Sequence, residues 1–271
     1  MPELPEVETT RLGIKPHIDQ QIITQVIIRQ PRLRWPIPPE ITSVLIDQKI
    51  KEVTRRAKYL LLKTALGTLI LHLGMSGSLR ILPSEVLPNK HDHIDFIFNN
   101  KICLRFNDPR RFGCVLWTQD APENHPLLKH LGPEPLSSAF DGDYLFAQSR
   151  KRSTPIKNFI MDSQMVVGVG NIYANEALFY TGLHPQEKAG KIKVARYHHL
   201  ADNIKIILAN AIKIGGTTLR NFSGSDGKPG YFKQLLKVYG RAGLSCLQCN
   251  AILVEIRLGQ RTTVYCPQCQ K

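Results

Sequence analysis

The sequence predicts an α+β chain in three parts: an N-terminal β-sandwich domain with flanking helices, a helical C-terminal domain, and a closing β-hairpin gathered by four cysteines. Three observations carry this. Residues 21 to about 119 are filled with short β-branched or aromatic segments separated by turn residues, the spacing of a sandwich. After LGPEPL at 131–136 the pattern changes to helical periodicity. The last 26 residues hold Cys246, Cys249, Cys266 and Cys269 as two CxxC pairs. At 271 residues, more than one domain is expected. The predicted division is 1–132, a linker at 133–150, a helical domain at 151–239, and the cysteine ribbon at 240–271.

The chain opens MPELPEVET. Removal of Met1 would leave the secondary amine of Pro2, a nucleophile, beside the carboxylate of Glu3. Pro5 suits the first position of a helix, and Glu6 and Glu8 suit its first turn, where the dipole favours negative charge. Gly13 and Pro16 predict its end. The competing reading is an ordinary frayed terminus.

QIITQVII, YLLLK, GTLILHL, HIDFIF and KICLRF then read as strands. Ile94, Phe96 and Phe98 alternate with polar residues, as do Ile102, Leu104 and Phe106 after Asn99-Asn100, which predicts a hairpin with one buried face. In the second half, a helix is predicted from about Asn171 to Gly182. Another runs from Ala195 to Ile214, with Leu200, Ile204, Ile207, Leu208 and Ala211 on one face and Gly215-Gly216 as the stop. FSGSDGKPGY at 222–231 reads as a loop.

Lys and Arg total 36 against 22 Asp and Glu, a net charge of +14. That surplus favours a polyanionic partner, nucleic acid first. A membrane surface competes, but the sequence has neither a spanning apolar run nor an export signal, so a soluble, cytoplasmic protein is expected. Cys103 and Cys114 lie alone in apolar sequence and read as reduced core thiols.

Three motifs carry chemistry. Cys246-x2-Cys249 and Cys266-x2-Cys269, joined by an alternating segment that turns at Leu258-Gly259-Gln260, can supply four thiolates to one tetrahedral zinc. Disulfides and an iron–sulfur centre remain open by spacing alone. Such a zinc site is closed and structural, and presents a hairpin with Arg257 and Arg261 near its turn. GVGNIYANE at 168–176 sets glycines before a helix N-terminus, where Asn171 can cap and a phosphate can bind. An ordinary N-cap is the alternative. NDPRRFG at 107–113 places Arg110 and Arg111 beside Phe112, as a loop that wedges into stacked bases requires. A basic turn with Phe112 in the core is the alternative, and Met75 in LHLGMSG has the same two readings. Lys58 and Lys157 read equally as solvated surface.

Taken together, PELPEVET, RRAKYLLL, LHLGMSG, DPRRFG, LGPEPL, GVGNIYANE, SDGKPGYF and the cysteine ribbon closely resemble the formamidopyrimidine-DNA glycosylases, bacterial repair enzymes for oxidised purines. The resemblance spans most of the chain. It implies a β-sandwich domain, a helix–two-turn–helix domain and a zinc finger, with damaged double-stranded DNA bound between. It implies Pro2 as nucleophile, Glu3 as acid/base and Lys58 as the active-site lysine. It further implies Met75, Arg111 and Phe112 as the set that fills the void beside an extruded base. Asn171 and Arg261 match phosphate contacts, Arg261 joining the catalytic group, and His72 and Lys157 match further DNA contacts. The loop Thr217–Tyr231 matches the one that closes over the base. Arg220 stands where many members carry Lys; the charge is kept, and the match implies a further DNA contact there. The expected activity is excision of 8-oxoguanine and formamidopyrimidines, then β,δ-elimination, by a monomer carrying one Zn2+. Rivals are the sister enzyme endonuclease VIII, which excises oxidised pyrimidines, a non-catalytic DNA-binding protein, and an RNA-binding ribbon protein.

Overall fold

A computed structural model describes residues 2–216 and 235–271. The chain divides into two compact units, residues 2–129 with 215 and 216, and residues 130–214 with 235–271.

In the first unit, helix α1 (Leu4–Ile18) starts at a reciprocal capping box: the Glu3 N–H donates to Glu6 Oε2 at 2.8 Å, and the Glu3 side chain accepts from the Glu6 N–H. Contrary to the expected stop at Gly13 and Pro16, the helix continues to Ile18. Pro16 removes only the bond to the Leu12 carbonyl, and Leu12 is half exposed to water. Ile14 and Ile18 are fully buried, so packing holds the last turn.

Two four-stranded antiparallel sheets form the predicted sandwich. One has the order β1-β6-β7-β5: Ile23–Ile28, Asp92–Phe98, Ile102–Asn107 and Ser78–Pro83. The other has the order β2-β3-β4-β8: Glu52–Arg56, Tyr59–Lys63, Thr68–His72 and Cys114–Thr118. The short α2 (Ile41–Val44) follows β1. Val7 and Ile14 of α1 join Leu60, Leu62, Leu69, Leu71, Phe96 and Phe106 in one core. The β6–β7 hairpin pairs Ile94 with Phe106 and Phe96 with Leu104. Its second face is not solvated, as alternation alone predicts. Asp95 and Arg105 are buried there; Arg105 Nε and Nη2 each donate to the Asp95 carboxylate at 2.8 Å. Arg105 also donates to the Val86 and Leu87 carbonyls at 2.8 and 3.1 Å, which holds that segment over the pair.

The second unit contains α3 (Gly142–Ser149), α4 (Ile156–Met161), α5 (Asn171–Thr181), α6 (Val194–Lys213) and a hairpin of β9 (Val254–Leu258) and β10 (Arg261–Tyr265). The five apolar residues predicted for one face of α6 are all buried, and Gly182 ends α5 as expected. Residues 133–150, read as linker, hold α3: Asp141 Oδ1 caps it by accepting from the Tyr144 N–H at 2.7 Å, and the helix packs on α6. Gly259 and Gln260 both have positive φ, +52° and +59°, the two-residue turn that matches strand twist. Among the described residues, no helix is long and apolar enough to cross a membrane.

Candidate functional site

In the first unit, Pro2 and Glu3 are buried immediately ahead of α1. One turn on, the Glu8 carboxylate accepts from Arg11 at 2.7 Å and from Arg55 at 3.0 Å. Burial pushes Glu8 up, but the two guanidiniums outweigh it and hold the group below the usual carboxylate range. Arg55 Nη1 also donates to the Ala57 carbonyl at 2.8 Å. Helix α1 is thereby fastened to the β2–β3 turn, Ala57–Lys58, whose tip carries the half-buried Lys58.

His72 ends β4, registered between Tyr59 of β3 and Cys114 of β8. Its Nδ1 accepts the Gly74 N–H at 3.0 Å, and its ring lies 4.7 Å from that of Tyr59. Burial first, then the charges of Lys58 and Arg34, depress the imidazole to about 4. A neutral ring accepting at Nδ1 carries its hydrogen on Nε2, so His72 offers a donor. Arg34, whose N–H donates to the Gly113 carbonyl at 3.0 Å, lies in irregular sequence that gives no sign of it. Met75 and Phe112 are 38% and 44% exposed, which removes the core reading for both. The guanidinium over the Phe112 ring, 4.8 Å from its centroid, belongs to Arg110. Arg111, the residue selected from sequence, sits instead at φ +55°.

In the second unit, the N-cap of α5 is Gly170, and Asn171 is the first helical residue. Asn171 Nδ2 donates to the Thr262 carbonyl at 2.9 Å, so its amide faces the cysteine hairpin instead of capping. Lys157 corrects an expectation more sharply. It is fully buried, and its ammonium donates to the Thr262 carbonyl at 3.0 Å and to Thr263 Oγ1 at 2.6 Å. A charge so enclosed holds the hairpin and does not reach a phosphate. Asn175 Oδ1 adds a third tie by accepting the Val264 N–H at 2.8 Å. Arg261, the residue before this anchored stretch, stands exposed at the start of β10. The buried Glu176 accepts from the N–H groups of Lys237, Val238 and Tyr239 at 2.8, 2.9 and 2.9 Å; burial raises its pKa against those bonds.

The sulfurs of Cys246, Cys249, Cys266 and Cys269 lie within 4.8 Å of one another, with 3.9 Å from Cys246 to Cys269 and 3.4 Å from Cys249 to Cys266. A tetrahedron with zinc–sulfur bonds of about 2.3 Å has edges near ~3.8 Å, so the set fits one structural Zn2+.

Family models match almost the whole chain: the formamidopyrimidine-DNA glycosylase N-terminal domain over residues 1–115, the formamidopyrimidine-DNA glycosylase H2TH domain over 131–223, and the zinc finger found in FPG and IleRS over 243–271. The chain belongs to the formamidopyrimidine-DNA glycosylase family. The formamidopyrimidine-DNA glycosylase of Marinobacter nauticus is 58% identical over 271 residues, covering 100% of both chains. Among solved structures, a mutant Lactococcus lactis FPG in complex with a Fapy-dG containing DNA superimposes with a TM-score of 0.92 at 32% identity, covering 100% of each chain. MutM in complex with carbocyclic 8-oxo-G containing DNA superimposes at 0.91 and 33% identity, again over 100% of each.

Within the glycosylase N-terminal match lie Pro2, Glu3, Lys58, His72, Met75, Arg111 and Phe112; the H2TH match holds Lys157, Asn171 and Arg220; the zinc-finger match holds Arg261 and the four cysteines. Arg220 and the whole of the expected closing loop, Thr217–Tyr231, fall outside the described residues. Sequence reasoning gave Glu8 only a place in the first turn of α1 and singled out none of Arg34, Ser76, Asp108 and Asn175. Asp108 did have a local signal, since Asp-Pro opens a turn.

Proposed function

We propose that this glycosylase excises oxidised purines, 8-oxoguanine and formamidopyrimidines, from damaged double-stranded DNA and then cuts the strand as an AP lyase. The reading is carried by one observation above the others: Pro2-Glu3 stands buried at the start of a capped helix in a chain matched end to end by this family. With Met1 removed, Pro2 offers a secondary α-amine; an unperturbed α-amine has a pKa of about 8, which leaves a neutral fraction at physiological pH. Its lone pair attacks C1′, and the base departs with the electrons of the glycosidic bond and with the proton that the amine nitrogen gives up. Glu3 protonates the sugar ring oxygen as the ring opens, which leaves an iminium between Pro2 and C1′. The iminium acidifies the C2′ protons. Glu3, now a base, removes one, and the 3′ phosphate leaves; a second elimination releases the 5′ phosphate. Lys58 and Arg261 supply positive charge to the departing groups.

His72 donates Nε2–H to a phosphate, and Asn171 and Arg261 hold the backbone flanking the lesion. Met75, Arg111 and Phe112, with the Arg110 guanidinium over the ring, fill the gap left by the extruded base. Zinc shapes the hairpin that presents Arg261 and takes no part in the chemistry. The enzyme works as a monomer in the bacterial cytoplasm, with no membrane partner.

Borohydride trapping on a duplex with one 8-oxoguanine opposite cytosine, followed by mass mapping, tests this. An adduct on a peptide starting at Pro2 is expected, with no excision from a thymine glycol duplex at the same enzyme level. Tight binding without an adduct, given an intact Pro2 terminus, would make the protein a damage sensor. Faster turnover of thymine glycol would favour the endonuclease VIII reading.

A further inference from the structure

The two wedge turns meet on a buried carboxylate. Asp108 is 0% exposed. Its Oδ1 accepts the Ser76 hydroxyl at 2.7 Å and the Arg110 N–H at 3.3 Å; its Oδ2 accepts the Gly113 N–H at 2.7 Å. Ser76 Oγ in turn accepts the Arg110 N–H at 3.2 Å. One carboxylate therefore binds the residue after Met75 and both ends of the Arg110–Phe112 segment. Backbone contact reinforces this. Gly74, at φ +62°, lies so close that a Cβ there would fall 2.4 Å from the Phe112 carbonyl carbon and from Gly113 N.

Asp108 is itself fixed. Its N–H donates to the His91 carbonyl at 3.1 Å, and its own carbonyl accepts from the Arg111 N–H at 3.1 Å and from His93 Nε2 at 2.8 Å. Both side chains that would enter the duplex are exposed, while the group that joins their turns is sealed from water.

We infer that Asp108, with Ser76, is a positioning residue that locks the Met75 turn to the Arg110–Phe112 turn, so that the void-filling side chains enter DNA as one rigid unit. Both are buried, Asp108 at 0% and Ser76 at 4% exposure, so they act through the turns they join. Buried charge-assisted bonds are costly to break singly, so the two turns share one set of positions. Without the lock, each turn samples its own positions and must be ordered separately on the duplex, which weakens binding only where there is a void to fill.

This rests on the void-filling reading above, and the experiment separates the two. Affinities are measured for a duplex with a tetrahydrofuran abasic analogue opposite cytosine and for the same duplex undamaged, with Ser76→Ala, Asp108→Asn and Phe112→Ala. Selectivity for the abasic duplex is expected to fall about tenfold in Ser76→Ala and further in Asp108→Asn. Affinity for undamaged duplex stays near that of the unsubstituted protein in Ser76→Ala. Asp108→Asn places an amide against the Gly113 N–H and can lower the folded fraction, but a ratio of affinities is insensitive to that. Loss of selectivity in Phe112→Ala with none in Ser76→Ala or Asp108→Asn overturns the lock and leaves the wedge standing. No loss in any of the three overturns both.

Discussion

Burial and the cations Lys58 and Arg34 hold the His72 imidazole at about 4, against an ordinary value near 6.5. The unfolded chain therefore takes up this proton first as pH falls. The stability that neutral His72 allows is fully present above about 6.5 and declines toward 4. Urea unfolding of the His72→Gln protein is expected to show a shallower decline over that interval than the unsubstituted protein. Arg110 and Arg111 separate in the same way by local geometry. Substituting Arg110 by Ala, which removes the guanidinium from the Phe112 ring, is expected to lower affinity for an abasic duplex several-fold more than Arg111→Ala, as read by fluorescence anisotropy. Which arginine meets the ring was not legible in RRF, because the choice depends on Arg111 taking a left-handed backbone angle that its side chain does not favour. The cysteine cluster could be found because its chemistry is written in residue type and spacing.

Elements with strong periodicity were legible almost to the residue: α6 from its five-residue apolar face, and the β9–β10 hairpin from its turn. The buried polar face of β6–β7 was not, since alternation cannot tell a solvated Asp95 and Arg105 from a pair covered by residues 86 and 87. Lys157 shows the same limit. In sequence it is one basic residue among 36; in the fold its ammonium fastens β10 to α4. Lys157→Met is expected to cost about 1–3 kcal/mol of stability by leaving the Thr262 carbonyl and Thr263 hydroxyl short of a donor. In DNA titrations over a salt series it should leave the slope of log affinity against log salt unchanged. Arg261→Ala, which removes an exposed cation, should reduce that slope by about one.

At the scale of the whole molecule, the charge of +14 predicted a polyanionic partner from composition alone, and the relatives solved with DNA agree with it. The three-part plan was also legible, though the helical segment and the cysteine hairpin prove to be one compact unit. Four thiolates that fit one zinc close a hairpin on which Lys157, Asn171 and Asn175 all converge. Chelation of the metal is therefore expected to loosen more than the finger. Hydrogen exchange should rise at Thr262–Val264 and also in α4 and the first turn of α5, with loss of DNA binding.

The anchoring of Lys157 also bears on how the protein is made. The ammonium belongs to α4, whereas the carbonyl and hydroxyl that receive it lie 105 and 106 residues downstream, in β10. Until β10 has left the ribosome, that charge has no hairpin to enter. A chain lacking residues 262 and 263 would deny the Lys157 ammonium these two acceptors. Closure of the core around α4 thus waits on a strand made more than 100 residues later.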